Sequence, residues 1–182
     1  MSKTAKILLN KKTITGPVDK NNDTCAFYVK KNNKLEIEGY GTIDGNSNSK
    51  SNNAIVIDGG HVIINGGVFT TGKNYKGNAN ACILIKGEGS KLEINNGEFH
   101  ANANNELWVP IIDVKNYIKR NRYTVIIKGG VFYGYDPSKG DDKMLKNFVA
   151  EGYQSIPTGY YLDEKGNKLV IYKVEKTKYE KE

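Results

Sequence analysis

Gly67-Val68-Phe69-Thr70, Gly97-Glu98-Phe99-His100 and Gly130-Val131-Phe132-Tyr133 are copies of one short block, and Gly41-Thr42-Ile43-Asp44 is a looser fourth copy. Each follows a Gly or Asn corner. A second apolar block precedes it: Leu35-Glu36-Ile37, Val62-Ile63-Ile64, Leu92-Glu93-Ile94 and Val125-Ile126-Ile127. A first block stands ahead of that: Phe27-Tyr28-Val29-Lys30, Ile55-Val56-Ile57-Asp58, Ile83-Leu84-Ile85-Lys86 and, more loosely, Ile112-Asp113-Val114-Lys115. The first block returns at steps of 28, 28 and 29 residues. Self-similarity at a fixed period marks a solenoid or array. Three short β-branched runs per repeat, with a sharp corner before the third, do not suit helical repeats. They predict an all-β fold: a single-stranded right-handed parallel β-helix of about four coils with terminal caps and a C-terminal β-hairpin.

Strand alternation assigns the faces. Ile43, Phe69, Phe99 and Phe132 form one interior column, and Leu35, Val62, Leu92 and Val125 form another. Lys30, Asp58, Lys86 and Lys115 form an outward column of mixed sign. Tyr28, Val56, Leu84 and Asp113 also point outwards, yet three of the four are apolar. Ile63 and Ile126 likewise stand outward among Glu36 and Glu93. Either the terminal segments or another subunit must cover such stripes. Tyr28, Val56, Leu84, Ile63 and Ile126 are therefore candidate interface residues, and a homo-oligomer is expected.

Residues 1–24 form a basic N-terminal cap or anchor, 25–137 the β-helix and 138–182 a C-terminal cap. Lys6-Ile7-Leu8-Leu9 and Thr13-Ile14-Thr15 are short β-prone runs. Asp141 to Tyr153 suits a short helix ending near Gly152. Gly159-Tyr160-Tyr161-Leu162 and Lys168-Leu169-Val170-Ile171-Tyr172 form a hairpin across a Gly166-Asn167 turn. The polar loops at 46–53, 71–78 and 101–105 all leave the third block and cluster on one side of the stack, the side best placed for recognition.

Composition agrees with this organisation and narrows the function. The 182 residues include 20 Gly and 22 Asn but only 4 Pro, a balance that favours turns and short strands. No apolar run reaches the roughly 18–20 residues of a membrane span, and Ile7-Leu8-Leu9 is too brief for a signal-peptide core. The chain is expected to be made and folded in a cytosol. Its net charge of +7 is concentrated at the start: residues 1–34 carry eight Lys against Asp19 and Asp23, for +6. That segment is either a solvated Lys-rich surface or a contact for an acidic partner. Nucleic acid is a poor candidate, because the stretch lacks arginine and no helical or zinc-finger pattern accompanies it.

Catalytic chemistry is sparse. Asp44 is the acidic member of the outward column Asp44, Thr70, His100, Tyr133, and its equivalents in the next coils are not acidic. Glycoside chemistry needs paired carboxylates, and no such pair recurs on one face. His61 and His100 fall in different columns without an evident Ser, Cys or Asp partner. Cys25 and Cys82 lie about two coils apart, beyond disulfide reach. No cofactor, metal or catalytic residue is assigned, and the chain is read as a non-enzyme. Trp108 has three candidate roles: stacking on a sugar, anchoring a subunit contact, or packing its loop against the coil.

Gly129-Gly130-Val131-Phe132-Tyr133-Gly134-Tyr135-Asp136-Pro137, followed by Asn147-Phe148-Val149-Ala150-Glu151-Gly152-Tyr153, resembles the C-terminal part of small pectin-lyase-like β-helix proteins of bacteriophages and prophages. The match covers about 25 residues well, and its motif carries no catalytic residue. The resemblance implies a virion component made in the host cytoplasm, of the head-fibre, capsid-decoration or appendage type. It also implies a trimer packed along its outer faces, contact with virion proteins such as the capsid, and a possible role in attachment. A glycan-binding or glycan-cleaving surface protein is the alternative, with a host surface glycan as ligand.

Overall fold

A computed structural model describes residues 2–17, 24–46, 52–71, 81–100, 111–115, 118–119, 122–140, 146–163 and 166–178. Its strands are β1 (Lys3–Leu8), β2 (Thr13–Thr15), β3 (Thr24–Lys30), β4 (Asn33–Glu38), β5 (Thr42–Asp44), β6 (Asn52–Asp58), β7 (His61–Thr70), β8 (Ile83–Gly87), β9 (Lys91–His100), β10 (Ile112–Val114), β11 (Thr124–Ile127), β12 (Gly130–Tyr133), β13 (Tyr153–Leu162) and β14 (Lys168–Lys176). They form a β-solenoid. The first blocks stack as a four-stranded parallel sheet in the order β3, β6, β8, β10, which bounds about three full turns. The second and third blocks stack in a ten-stranded sheet, parallel from β1 through β12.

The predicted columns are axial neighbours. Ile43 pairs with Phe69, Phe69 with Phe99, and Phe99 with Phe132. All four are fully buried. The Phe69 and Phe99 rings stack with centroids 4.9 Å apart, and so do those of Phe99 and Phe132. That distance matches the strand spacing of about 4.8 Å, so the backbone ladder dictates the ring stack. Each ring adds about 0.5–1.5 kcal/mol of aromatic contact to its burial. Leu35, Val62, Leu92 and Val125 line up in the same way.

In the middle coils the second and third blocks are not separate strands. β7 and β9 each run through the corner as ten residues, with register shifts around Asn65 to Val68. The bend needs backbone that side chains resist. Gly67 has φ +98° and Gly97 φ +137°, a region of strain for residues with a Cβ. A Cβ on Gly97 would also lie 3.1 Å from the Phe99 ring.

The flanks depart from expectation in one place, the predicted C-terminal helix. The two N-terminal runs are strands, as predicted. β1 and β2 pair parallel with β4 and β5 and continue the stack as a partial coil. At the other end, the described part of the predicted helix is not helical: residues 146–150 run alongside β11, and Glu151 and Gly152 form a turn into β13. Ile127 donates its N–H to Phe148 O at 2.9 Å and accepts from Ala150 N at 2.9 Å. The segment therefore satisfies the open edge of β11, and Phe148 enters the core. The local sequence has helix-forming residues, but the unpaired groups of β11 take its backbone. The hairpin is present and longer than predicted. β13 and β14 pair antiparallel, and β14 pairs antiparallel with β12, so the stack ends under a hairpin.

Candidate functional site

The outward face of the third blocks carries polar and aromatic contacts between coils. Asp44, Thr70, His100 and Tyr133 are axial neighbours, as the repeat predicts. The His100 and Tyr133 rings stack at 3.9 Å, and Tyr161 from the hairpin meets Tyr133 edge-on at 5.3 Å. Glu98, two residues before His100 on the same face, pairs with His100 Nε2. Burial, followed by the Glu98 carboxylate, holds the Tyr133 hydroxyl above the ordinary tyrosine range. Asp44 accepts the Asn46 backbone N–H at 3.2 Å, a turn-closing role. Beneath this face the Cys82 thiol donates to His100 O at 3.1 Å. Burial pushes its pKa up, which keeps it a thiol rather than a nucleophilic thiolate. Cys25 is in no disulfide.

Beside this face runs a groove of about 460 Å³. Gly39, Gly41, Gly66, Gly67 and Gly97 line it, together with the axial row Val68, Glu98 and Val131 and the axial pair Asn65 and Asn96. Tyr40, 84% exposed, also lines it. An amide ladder fixes the asparagine side: Asn95 Nδ2 donates to Asn65 Oδ1 at 2.8 Å, and Asn65 Nδ2 donates to Glu36 Oε1 at 3.2 Å. The groove thus offers an exposed aromatic ring, amide groups and one carboxylate beside several glycines. Those groups suit a flat polyhydroxylated or peptide ligand.

Sequence reasoning did not find this groove. Each glycine is legible as a corner, but the groove also needs the coil-to-coil pairing that sets Val68, Glu98 and Val131 in one row and Asn65 beside Asn96. His61 also has a partner that column reading misses. Its Nε2 lies 2.9 Å from Glu93 Oε1 on the next coil, two residues off the axial position.

The proposed interface residues separate into three groups. Val56 and Leu84 are axial neighbours outside the central core cluster, yet they are 0% and 1% exposed. The chain itself covers them, so they are not a surface of the single chain. Tyr28 is 40% exposed. Its hydroxyl donates to Asp58 Oδ2 at 2.7 Å, and Lys86 Nζ lies 5.6 Å from its ring centre. Ile63 and Ile126 are half-buried. Trp108 lies outside the described residues, as do most of the Asn-rich loops. The Lys30, Asp58, Lys86, Lys115 column is broken once. A bulge after Ile57 sets Asp58 opposite Gly87 and displaces Lys86.

Among the described residues, no group of three or more His, Cys, Asp or Glu side chains gathers to hold a metal ion. Among them, too, no helix is long and apolar enough to cross a membrane. No protein-family model, curated protein or solved structure matches the chain.

Proposed function

We propose that the chain is a non-enzymatic structural protein of a bacteriophage virion, a head fibre, capsid decoration or similar appendage, with a part in attachment. The observation that carries the structural reading is the axial packing of the interior columns. Three phenylalanine rings stack at strand spacing inside a parallel ladder whose far end is closed by a hairpin. Such a stack is a stiff, protease-resistant spacer, because each coil is bonded to the next along the axis. The virion context comes from the resemblance carried by residues 129–137 and 147–153. The basic N-terminal end would be the anchor, and the trimer would pack through outer faces that include Tyr28, Ile63 and Ile126. Mass spectrometry of particles purified from a lysogen carrying the gene tests this reading. Stoichiometric presence of the chain supports it, and recovery only in the soluble lysate opposes it. Light scattering of the purified chain tests the oligomer, against which a clean monomer at high concentration counts.

A second reading, glycan binding, draws on the groove. Tyr40 offers a ring face for a sugar, and Asn65, Asn96 and Glu98 offer hydrogen-bond partners. A glycan array probed with the wild-type chain and Tyr40→Ala separates the readings. Binding lost in the variant favours the groove, and a silent array favours the spacer. A reducing-sugar release assay addresses cleavage. Turnover abolished by Asp44→Asn would put an enzyme ahead of both.

A further inference from the structure

The two ends of the long sheet differ in how their edges are finished. β13 carries Pro157 and a bulge between Pro157 and Gly159, devices that discourage strand addition. β1 has neither. It is the last strand of its sheet, and five of its six residues are exposed. Its backbone is already aligned for a partner. Leu9 N–H donates to Glu38 O at 2.9 Å, so by strand alternation the odd residues bond to β4. Thr4, Lys6 and Leu8 then turn their N–H and C=O groups to the open side.

The side chains beside that edge select the occupant. Lys6 does not project over the edge as a blocking lysine does, since its Nζ is drawn across the sheet face to Glu38 Oε2 at 3.0 Å. Leu8 is 65% exposed and leans over Gly39, where an added Cβ would lie 2.9 Å from Leu8 Cδ1. Lys3, Lys11 and Lys12 stand close by in the chain. A second copy meeting this edge end to end would bring two +6 segments together, and like charges side by side oppose pairing.

We infer that the open edge of β1 docks an extended acidic segment of another protein as an added strand, with a carboxylate beside Lys6 and an apolar side chain two residues away beside Leu8. Backbone hydrogen bonds from Thr4, Lys6 and Leu8 supply the affinity, and the lysines supply the selection for acid. Such docking deepens the reading of the N-terminal end as an anchor, and it does not depend on the virion context.

The probe is a synthetic peptide, acetyl-Thr-Glu-Val-Glu-Val-Glu-Thr-amide, titrated into the full isotope-labelled chain. Amide exchange at Thr4, Lys6 and Leu8 is expected to slow by about tenfold or more at saturation, while amides of β13 are unaffected. Replacing the three Glu by Gln is expected to weaken binding by about tenfold, as is raising salt from about 0.05 to about 0.5 M. Lys6→Pro removes an outward N–H and is expected to abolish binding with the β4 amides unchanged. Should that variant misfold, the Gln peptide decides the matter on the intact chain. Equal binding of the Glu and Gln peptides, or no slowing at millimolar peptide, overturns the inference. So does protection of the same amides that grows with protein concentration in the absence of peptide, which assigns the edge to a second copy. Peptide binding by a chain that is missing from purified particles would sink the virion reading and leave the docking edge standing.

Discussion

At its N-terminal end the solenoid stops on β1, a parallel strand whose outer backbone groups face solvent. At its C-terminal end it stops beneath β14, which runs antiparallel over β12 with Val174 2% exposed, while residues 146–150 cover the edge of β11. The same repeat thus ends in two ways. The closed end spends a hairpin of non-repeat sequence on satisfying edges, whereas the open end is more of the same coil. A repeat fold has no intrinsic stop, so each terminus needs its own device. An edge strand left without one is either a liability or a site. The difference predicts that substitutions near β12 cost far more than matched ones in β1.

The largest effect is expected at Phe132, which lies fully buried between the Phe99 ring and the hairpin. Phe132→Ala should destabilise by about 3–5 kcal/mol, read as a shift in denaturant midpoint at constant slope. A loss below about 1 kcal/mol would mean that the hairpin does not seal the stack. Gly130→Ala, on the same strand at the same end, places a Cβ at φ +112° and 3.1 Å from Gly97 O. Its expected cost is about 1–3 kcal/mol. The matched truncation at the open end, Ile7→Ala, removes a half-buried side chain with no coil beneath it. About 1 kcal/mol or less is expected there. A cost equal to that of Phe132→Ala would show that β1 is covered in solution and would erase the contrast between the ends.

The repeat makes the stack legible because one residue type recurs at one offset. Phe69, Phe99 and Phe132 fix the register by themselves, and the rest of each coil follows from alternation. Alternation assigns a side chain to a face but says nothing about what lies over that face. For that reason Val56 and Leu84 read as an outer stripe, although the chain covers them. Residues 146–150 are non-helical against their local helix preference because they meet the open edge of β11, which no local pattern records. The His61 to Glu93 contact is diagonal, so comparing equivalent positions coil by coil passes over it. The groove needs the opposite step: reading down the coils sets Val68, Glu98 and Val131 in one row and Asn65 beside Asn96, next to the corner glycines.

The smallest effect concerns pH and again separates the ends. Tyr133 and Tyr161 both lie at the closed end, and both hydroxyls are held above the ordinary tyrosine value of 10.0, chiefly by burial. Glu98 adds to the rise at Tyr133, and Asp163 adds to it at Tyr161. A folded-state pKa above the unfolded one means that the native chain keeps protons the unfolded chain has released. The resulting stability is fully present below about pH 10 and is lost as pH rises through the folded values. Unfolding midpoints measured from about pH 8 to 11 should therefore fall at the alkaline end, beyond any general loss from other groups. Tyr133→Phe should flatten part of that fall, because phenylalanine has no proton to release, while leaving the stack on His100 in place. An unchanged alkaline slope would place the Tyr133 hydroxyl in water, and the hairpin would then lie less tightly over β12 than the ring contacts require.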